Sequence, residues 1–400
     1  MRIAFFVSGF PALSETFIIN QINDLIRRGH EIEIFSTHFE KNGMIHDGVR
    51  EYNLIDKTVY LNSLPKGRFK KISGLILWIL NHCSLSTLEL IYRFLINSKK
   101  NGISVYQLIS FNNKKKYDVV HAHFGQNGDF VSRLIENGLF KEAFFVTTFH
   151  GYDLEITPEN PCDYNNLFRT CNRFTVNSNY SKSKLIKLGC SAEKIYLLPV
   201  GLDIHKFQLR ESRNYQSGPI IILFVGRLIE VKGPDLLIQI CNELKKRNTY
   251  EFKIIIVGES SMKNQLMQSV IALGLQREVC FLGGLSQEQI LEEMERADIF
   301  ILPGITINGR AETQGLVIQE AQAMQLPVIV SDAGGMKEGM IDGETGFVIP
   351  EGNIALFVDA LEKLAKDPEL RSKMGAEGRR FVQTNYSIQH LNDQLLQIYS

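Results

Sequence analysis

Short runs of Ile, Val, Leu and Phe alternate with stretches whose apolar residues recur every three or four positions, and this rhythm repeats along most of the chain. The first run, Ile3–Val7, predicts a strand that closes at the turn-forming Gly9-Phe10-Pro11. A helix follows, with Ser14 as its N-cap and Ile18, Ile22, Leu25 and Ile26 along one face. Gly29 ends it, and Glu31–Ser36 resumes as a strand. Further strands are predicted at Val119–His121, Phe145–Thr148, Arg173–Val176 and Ile195–Leu198. The second half adds Ile220–Val225, Phe252–Val257, Val279–Phe281, Ile299–Leu302, Val328–Val330 and Gly346–Ile349. Continuously apolar strands belong to parallel sheets covered on both faces, so the rhythm predicts an α/β protein with one doubly wound sheet in each half.

The rhythm breaks at Pro199-Val200-Gly201-Leu202-Asp203 and the polar stretch Arg210–Gly218. That break predicts an N-terminal domain over 1–203 and a C-terminal domain over 204–387. Residues 388–400 read as a helix whose packing partner its own side chains do not reveal. Two similar α/β domains are expected to leave a ligand cleft between them.

With 400 residues, 44% of them apolar and 22% charged, the composition is that of an ordinary globular chain rather than a disordered or fibrous one. Lys plus Arg (44) equals Asp plus Glu (44), so bulk charge recruits neither nucleic acid nor membrane. The balance is uneven, however, at a net +6 over residues 1–200 and −6 over 201–400. The six cysteines form no CxxC pair, which fits reduced thiols in a cytoplasmic protein. Ile72–Leu80, the longest apolar stretch, is far shorter than the ~18 residues of a spanning helix. It follows Lys66, Arg68, Lys70 and Lys71. A basic cluster beside a Trp-bearing apolar run fits peripheral contact with a membrane, and equally a buried helix with a solvated start.

The candidate chemistry lies at strand ends. Gly226-Arg227-Leu228-Ile229-Glu230-Val231-Lys232-Gly233 follows Ile220–Val225 and leads into a helix at Pro234. An Arg fork and a Lys point charge five positions apart can converge on a diphosphate; the competing reading is a pair of solvated loop cations. In Glu312-Thr313-Gln314-Gly315-Leu316-Val317-Ile318-Gln319-Glu320, the residues Gly315, Leu316 and Val317 mark a loop turning into a helix, whose free N–H groups suit a phosphate. Glu320 lies one and a half turns further on, where a carboxylate can accept from a vicinal diol. Ser331-Asp332-Ala333-Gly334-Gly335 closes another strand. Neither GxGxxG nor a P-loop is present, which turns the reading away from dinucleotide oxidoreductases and kinases. In the first half, Phe149-His150-Gly151-Tyr152-Asp153 places His150 at a strand's carboxyl end. His121 and His123 form an HxH pair with no third metal ligand signalled nearby.

Taken together, FPALSETFI near the start, FHGYD at Phe149–Asp153, PVGLD at Pro199–Asp203, GRLIEVKG at Gly226–Gly233 and the spaced pair Glu312 and Glu320 carry a resemblance that spans nearly the whole chain. The chain resembles the retaining glycosyltransferases of family 4, with the GT-B fold, in particular the colanic-acid-type sugar transferases of bacterial exopolysaccharide synthesis. The resemblance implies that Arg227 and Lys232 bind the donor's diphosphate and that Glu320 holds the ribose. It implies that Glu312 contacts the donor sugar and that Gly315, Leu316 and Val317 offer backbone amides to phosphate. His150 would sit beside the transferred sugar, and Gly9 would belong to the loop facing the donor. The C-terminal helix would return to the first domain, and neither cofactor nor metal would be needed. The implied partners are a nucleotide diphosphate sugar and a saccharide acceptor, lipid-linked, with no nucleic acid. A GT-B-shaped sugar-nucleotide epimerase and an inactive sugar-nucleotide-binding subunit are the competing functions. Three positions depart from the family pattern. Thr313-Gln314 stands where a glycine and an apolar residue are usual, Met336-Lys337 where a hydrophobic residue and proline are usual, and Gly9 lacks a second glycine.

Overall fold

The computed structural model describes residues 1–12, 15–39, 47–61, 111, 115–155, 163–208 and 218–400. Ser14, the stretch 66–80, Cys83, Cys162 and most of Arg210–Gly218 lie outside the described residues. The chain divides into two compact units. One comprises Met1–Val176, Ser181–Leu198 and Asn392–Ser400, and the other Asn177–Tyr180 and Pro199–Leu391.

The first unit is built on a parallel sheet of β1 (Arg2–Phe10), β2 (Glu31–Phe39), β3 (Thr58–Tyr60), β4 (Val119–His123), β5 (Phe144–Phe149), β6 (Arg173–Val176) and β7 (Ile195–Leu197), in the order β3-β2-β1-β4-β5-β6-β7. Ile3, Ala4 and Phe5 are fully buried, as expected of a strand covered on both faces. The helix Thr16–Arg27 turns Ile18, Ile19, Ile22 and Leu25 inward. The turn expected at Gly9-Phe10-Pro11 begins later than the sequence indicates. The ladder to β2 continues through Gly9↔His38 and Phe10↔Phe39, so Gly9 is a buried strand residue and the chain leaves the sheet at Pro11. Proline has no N–H to donate, and the ladder stops there.

The chain's last residues belong to this unit. Asn392 Nδ2 donates to the carbonyl of Gln21 (3.2 Å) and to Asp24 Oδ2 (2.8 Å), Arg28 pairs with both Asp24 and Asp393, and Tyr399 Oη bonds His121 Nδ1 at 2.6 Å.

In the second unit β8 (Ile220–Val225), β9 (Phe252–Val257), β10 (Val279–Gly283), β11 (Ile299–Leu302), β12 (Val328–Ser331) and β13 (Gly346–Ile349) form a parallel sheet ordered β10-β9-β8-β11-β12-β13. Leu223, Phe224, Phe300, Ile301 and Val330 are fully buried in its core. Each fully buried side chain of this size contributes about 1.5–3 kcal/mol relative to exposure. In both sheets the strand order reverses beside the first strand, between β1 and β4 and between β8 and β11. Such a reversal splays the loops at the strands' carboxyl ends apart, and ligands of open α/β sheets bind there.

Candidate active site

The loop after β8 is fixed from below. Gly226 N–H donates to the carbonyl of Val257 (3.0 Å), Leu228 is fully buried, and Ser260 Oγ bonds the carbonyl of Leu228. A short 3-10 turn, Glu230–Lys232, ends at Gly233, and Pro234 opens the helix Pro234–Arg247 at its first position. Gly233 adopts φ +68°, and a Cβ there would lie 1.8 Å from the carbonyl oxygen of Pro303, so no other residue fits. The loop after β11 is tied to it, since Ile305 N–H donates to the carbonyl of Val231 (3.1 Å). The two loops flanking the β8/β11 reversal thus form one rigid rim.

On that rim Lys232 Nζ pairs with Glu312 Oε2, the two side chains retaining 14% and 18% of their exposure, and Glu312 Oε1 accepts the N–H of Gly315 at 3.2 Å. Burial pushes the Glu312 carboxyl up. The Lys232 charge and the hydrogen bonds from Lys232, Gly315 and Gln314 outweigh it and hold the carboxyl below its ordinary range. Gly315 is the N-cap of the helix Leu316–Ala323, whose first N–H groups, those of Leu316 and Val317 among them, have no carbonyl partner within the helix. Glu320 sits on this helix, half-buried rather than exposed; burial pushes its carboxyl up to about 7, against a weaker pull from Lys232.

The structure therefore gathers Lys232, Glu312, Gly315, Leu316, Val317 and Glu320 on the β8/β11 rim. Arg227 lies on the same loop but is exposed, and it forms no ion pair among the described residues. Lys232, expected to face a diphosphate together with Arg227, here has Glu312, an opposite charge within direct reach, as its ion-pair partner.

Two of the departures from the family pattern, Thr313 and Gln314, have structural partners. Gln314, only 5% exposed, accepts the N–H of Val200 (2.8 Å) and donates to the carbonyl of Val200 (3.0 Å), so it secures the Pro199–Asp203 segment. Thr313 Oγ1 accepts from Asn177 Nδ2 (3.0 Å). Glu338 accepts the N–H groups of Asn179 (2.7 Å) and Tyr180 (3.1 Å), and Gly335 N–H donates to the carbonyl of Glu312 at 2.8 Å. Sequence reasoning flagged Thr313 and Gln314 as unusual without supplying their partners, whereas Gly335 and Glu338 keep the residues usual in the family.

In the first unit three imidazoles form a stack at the ends of β4 and β5. His121 stacks on His123 (ring centroids 4.5 Å apart) and His123 on His150 (5.2 Å); Phe17 and Phe124 lie against His150. His123 Nδ1 and His150 Nε2 are hydrogen-bonded at 3.0 Å. His121 bonds Tyr399 and, at 2.6 Å, Thr148. Burial depresses all three, His121 and His150 to about 3, so the rings are neutral. The HxH spacing thus builds a hydrogen-bonded ladder. Among the described residues no group of three or more His, Cys, Asp or Glu converges as a metal site. Gly9 is the penultimate residue of β1, the strand that pairs with β4. Ser8, its neighbour, bonds Asn127, which also donates to the carbonyl of His123 at 2.7 Å.

Sequence reasoning missed Asp153. It is fully buried, and its carboxylate accepts three main-chain N–H groups, from Gly125 (2.8 Å), His150 (3.0 Å) and Gly151 (2.9 Å). The signal was present in His150-Gly151-Tyr152-Asp153, where a short carboxylate follows a glycine at the distance that closes a turn.

Comparison with known proteins fits this arrangement. The family model for glycosyl transferases group 1 matches residues 205–381, and that for glycosyltransferase family 4 matches residues 14–206. The amylovoran biosynthesis glycosyltransferase AmsK of Erwinia amylovora is 30% identical over 398 residues, covering 98% of this chain and 97% of that protein. The putative colanic acid biosynthesis glycosyltransferase WcaL of Escherichia coli K12 is 28% identical over 410 residues, covering 99% and 98%. The crystal structure of Anabaena HepE in complex with UDP-glucose shares the fold with a TM-score of 0.67 at 17% identity, covering 99% of this chain and 98% of that one. The fold is GT-B, and the chain belongs to the family 4 glycosyltransferases. Among the described residues no helix is long and apolar enough to cross a membrane.

Proposed function

We propose that this glycosyltransferase moves a hexose, with retention at the anomeric carbon, from a nucleotide diphosphate sugar to a lipid-linked saccharide in the assembly of a bacterial exopolysaccharide. The observation that carries the reading is the rim at the β8/β11 reversal, where Lys232, Glu312, Glu320 and the start of the Leu316–Ala323 helix meet. The polysaccharide pathways named for AmsK and WcaL, and the UDP-glucose held by HepE, support the polymer class and the donor class.

In this reading the donor's diphosphate takes the place of Glu312 as the partner of Lys232, and Arg227, free at the rim, closes on the same group. The amides of Gly315, Leu316 and Val317 add the positive end of a helix. Glu312, released from Lys232, accepts hydroxyls of the transferred sugar, and Glu320 accepts those of the ribose. As the anomeric carbon–oxygen bond breaks, negative charge grows on the β-phosphate, and preorganised cations and amides stabilise it without a metal. His150, held neutral by burial, donates or accepts a hydrogen bond beside the sugar without adding a charge of its own. With no carboxylate assigned as a covalent nucleophile, the acceptor hydroxyl attacks from the face the diphosphate leaves, and its proton passes to the departing β-phosphate oxygen as the new glycosidic bond forms. Peripheral membrane contact through residues 66–80 would bring the lipid-linked acceptor near.

The test is transfer from a panel of UDP- and GDP-sugars to lipid-linked saccharides, with the product's anomer read by NMR. Arg227→Ala and Lys232→Ala are each expected to lower turnover by about 10²–10³-fold with the fold retained. Wild-type rates in both variants, or an inverted product, would overturn the reading.

A further inference from the structure

Asp153 is remote from solvent, and both of its oxygens are occupied. Oδ1 accepts the N–H groups of His150 and Gly151, and Oδ2 accepts that of Gly125. A single carboxylate therefore clips the loop after β5 to the loop after β4. Its own main chain is anchored too, since Tyr164 Oη donates to the carbonyl of Asp153 at 2.9 Å. Gly125 begins the helix Gly125–Glu136, so the clip also sits at that helix's positive end. Gly151, the residue between His150 and the 3-10 turn Tyr152–Leu154, adopts φ +124°, a conformation open to glycine and strained for other residues. With no exposure and no free oxygen, Asp153 cannot itself meet a substrate.

We infer that Asp153 is a positioning residue for His150: it fixes the main chain on which that imidazole is mounted, so that the ring keeps one orientation against His123. The inference rests on the role proposed above for His150. The aromatic contacts of Phe17 and Phe124 and the hydrogen bond with His123 restrain the ring itself. None of them restrains the backbone torsion that sets where the ring starts, and that is the task left to the carboxylate. Burial pushes the Asp153 carboxyl up to about 6, and the main-chain N–H groups of Gly125, Gly151, His150 and Asp153 oppose that rise. The groups that face it are those main-chain N–H groups, its own included, and Tyr164 bonds its carbonyl.

Asp153→Asn separates this from a simple packing role. The amide oxygen can still serve two donors, while the amide NH₂ turns a donor toward the N–H of Gly125. Uniformly ¹³C,¹⁵N-histidine-labelled protein provides a readout that needs no substrate. Wild-type His150 should stay neutral in one tautomer down to roughly pH 5, since burial holds it to about 3. In Asp153→Asn it should titrate closer to the ordinary histidine range and show mixed tautomers. With whichever of UDP-glucose, UDP-galactose, GDP-mannose and GDP-fucose supports transfer, Asp153→Asn should lower kcat by about 100-fold and leave the donor KM unchanged. In a His150→Ala background the same substitution should leave kcat unchanged, because the group it acts through is gone. Asp153→Ser, which keeps one acceptor, serves as the second variant if Asp153→Asn does not fold. Unaltered His150 resonances, or a loss that multiplies with His150→Ala, overturns the inference. A wild-type rate in His150→Ala instead overturns the role of His150, and the NMR arm then decides the positioning alone.

Discussion

Glu320 couples the site to stability in a measurable way. Its carboxyl stands at about 7 in the folded chain against an ordinary 4.5, because burial disfavours the charged form more than Lys232 favours it. Below pH 4.5 the group is protonated in both folded and unfolded chains and contributes no difference. Between about 4.5 and 7 the unfolded chain ionises while the folded one resists, so stability falls as pH rises, and the full loss is reached above about 7. A difference of about 2.5 in pKa corresponds to about 3 kcal/mol, and solvent reaching the half-buried side chain reduces this to about 1–3 kcal/mol. Glu320→Gln removes the penalty and keeps the shape. The ligand-free variant should therefore match wild type at pH 4.5 and exceed it by about 1–3 kcal/mol at pH 8, or about 3–10 °C in Tm for a unit of this size. Thermal unfolding at matched ionic strength across that range is the assay. A variant less stable than wild type at pH 8, or one displaced equally at every pH, would refute the argument that an uncompensated carboxylate is buried there.

Two further outcomes follow from the same rim. Gln314→Leu strands the N–H and carbonyl of Val200 and should cost about 1–3 kcal/mol in urea unfolding, whereas Gln314→Glu, which keeps one acceptor, should cost less. Equal losses would show that the Val200 bonds are not what Gln314 contributes. Gly233→Ala forces a Cβ into the carbonyl of Pro303 at φ +68°, and should lower stability by more than about 2 kcal/mol together with donor binding; a variant with wild-type Tm contradicts the rigid rim.

Much of the second unit was legible because buried parallel strands are written as continuous apolar runs; Ile220–Val225, Phe252–Val257 and Ile299–Leu302 have the same limits in sequence and structure. The strand Thr58–Tyr60 was not, since it has three half-buried residues at a sheet edge and no periodic signal. Gly9 and Pro11 mark a turn locally, but pairing with β2 carries the strand on through Phe10. At the site, Lys232 was readable from its place after β8, and Glu312 from the resemblance to the family pattern. Their pairing with each other was not, because spacing predicts which loop a charge occupies and not which neighbour it faces. Asp153 escaped for a related reason: its partners are main-chain N–H groups, which every residue but proline possesses and no side-chain motif advertises.

The residues that bond Asp24, Arg28 and His121 come from the far end of the chain, after all of β8–β13 has been made. During synthesis the first unit therefore waits without one partner of Asp24 and one of His121 until residues beyond 391 have cleared the ribosome, while Arg28 and Thr148 supply the bonds already within reach. The order of translation thus makes the earliest-made unit the last to be completed, and nascent chains interrupted before Asn392 would carry an unfinished first unit however well the second had folded.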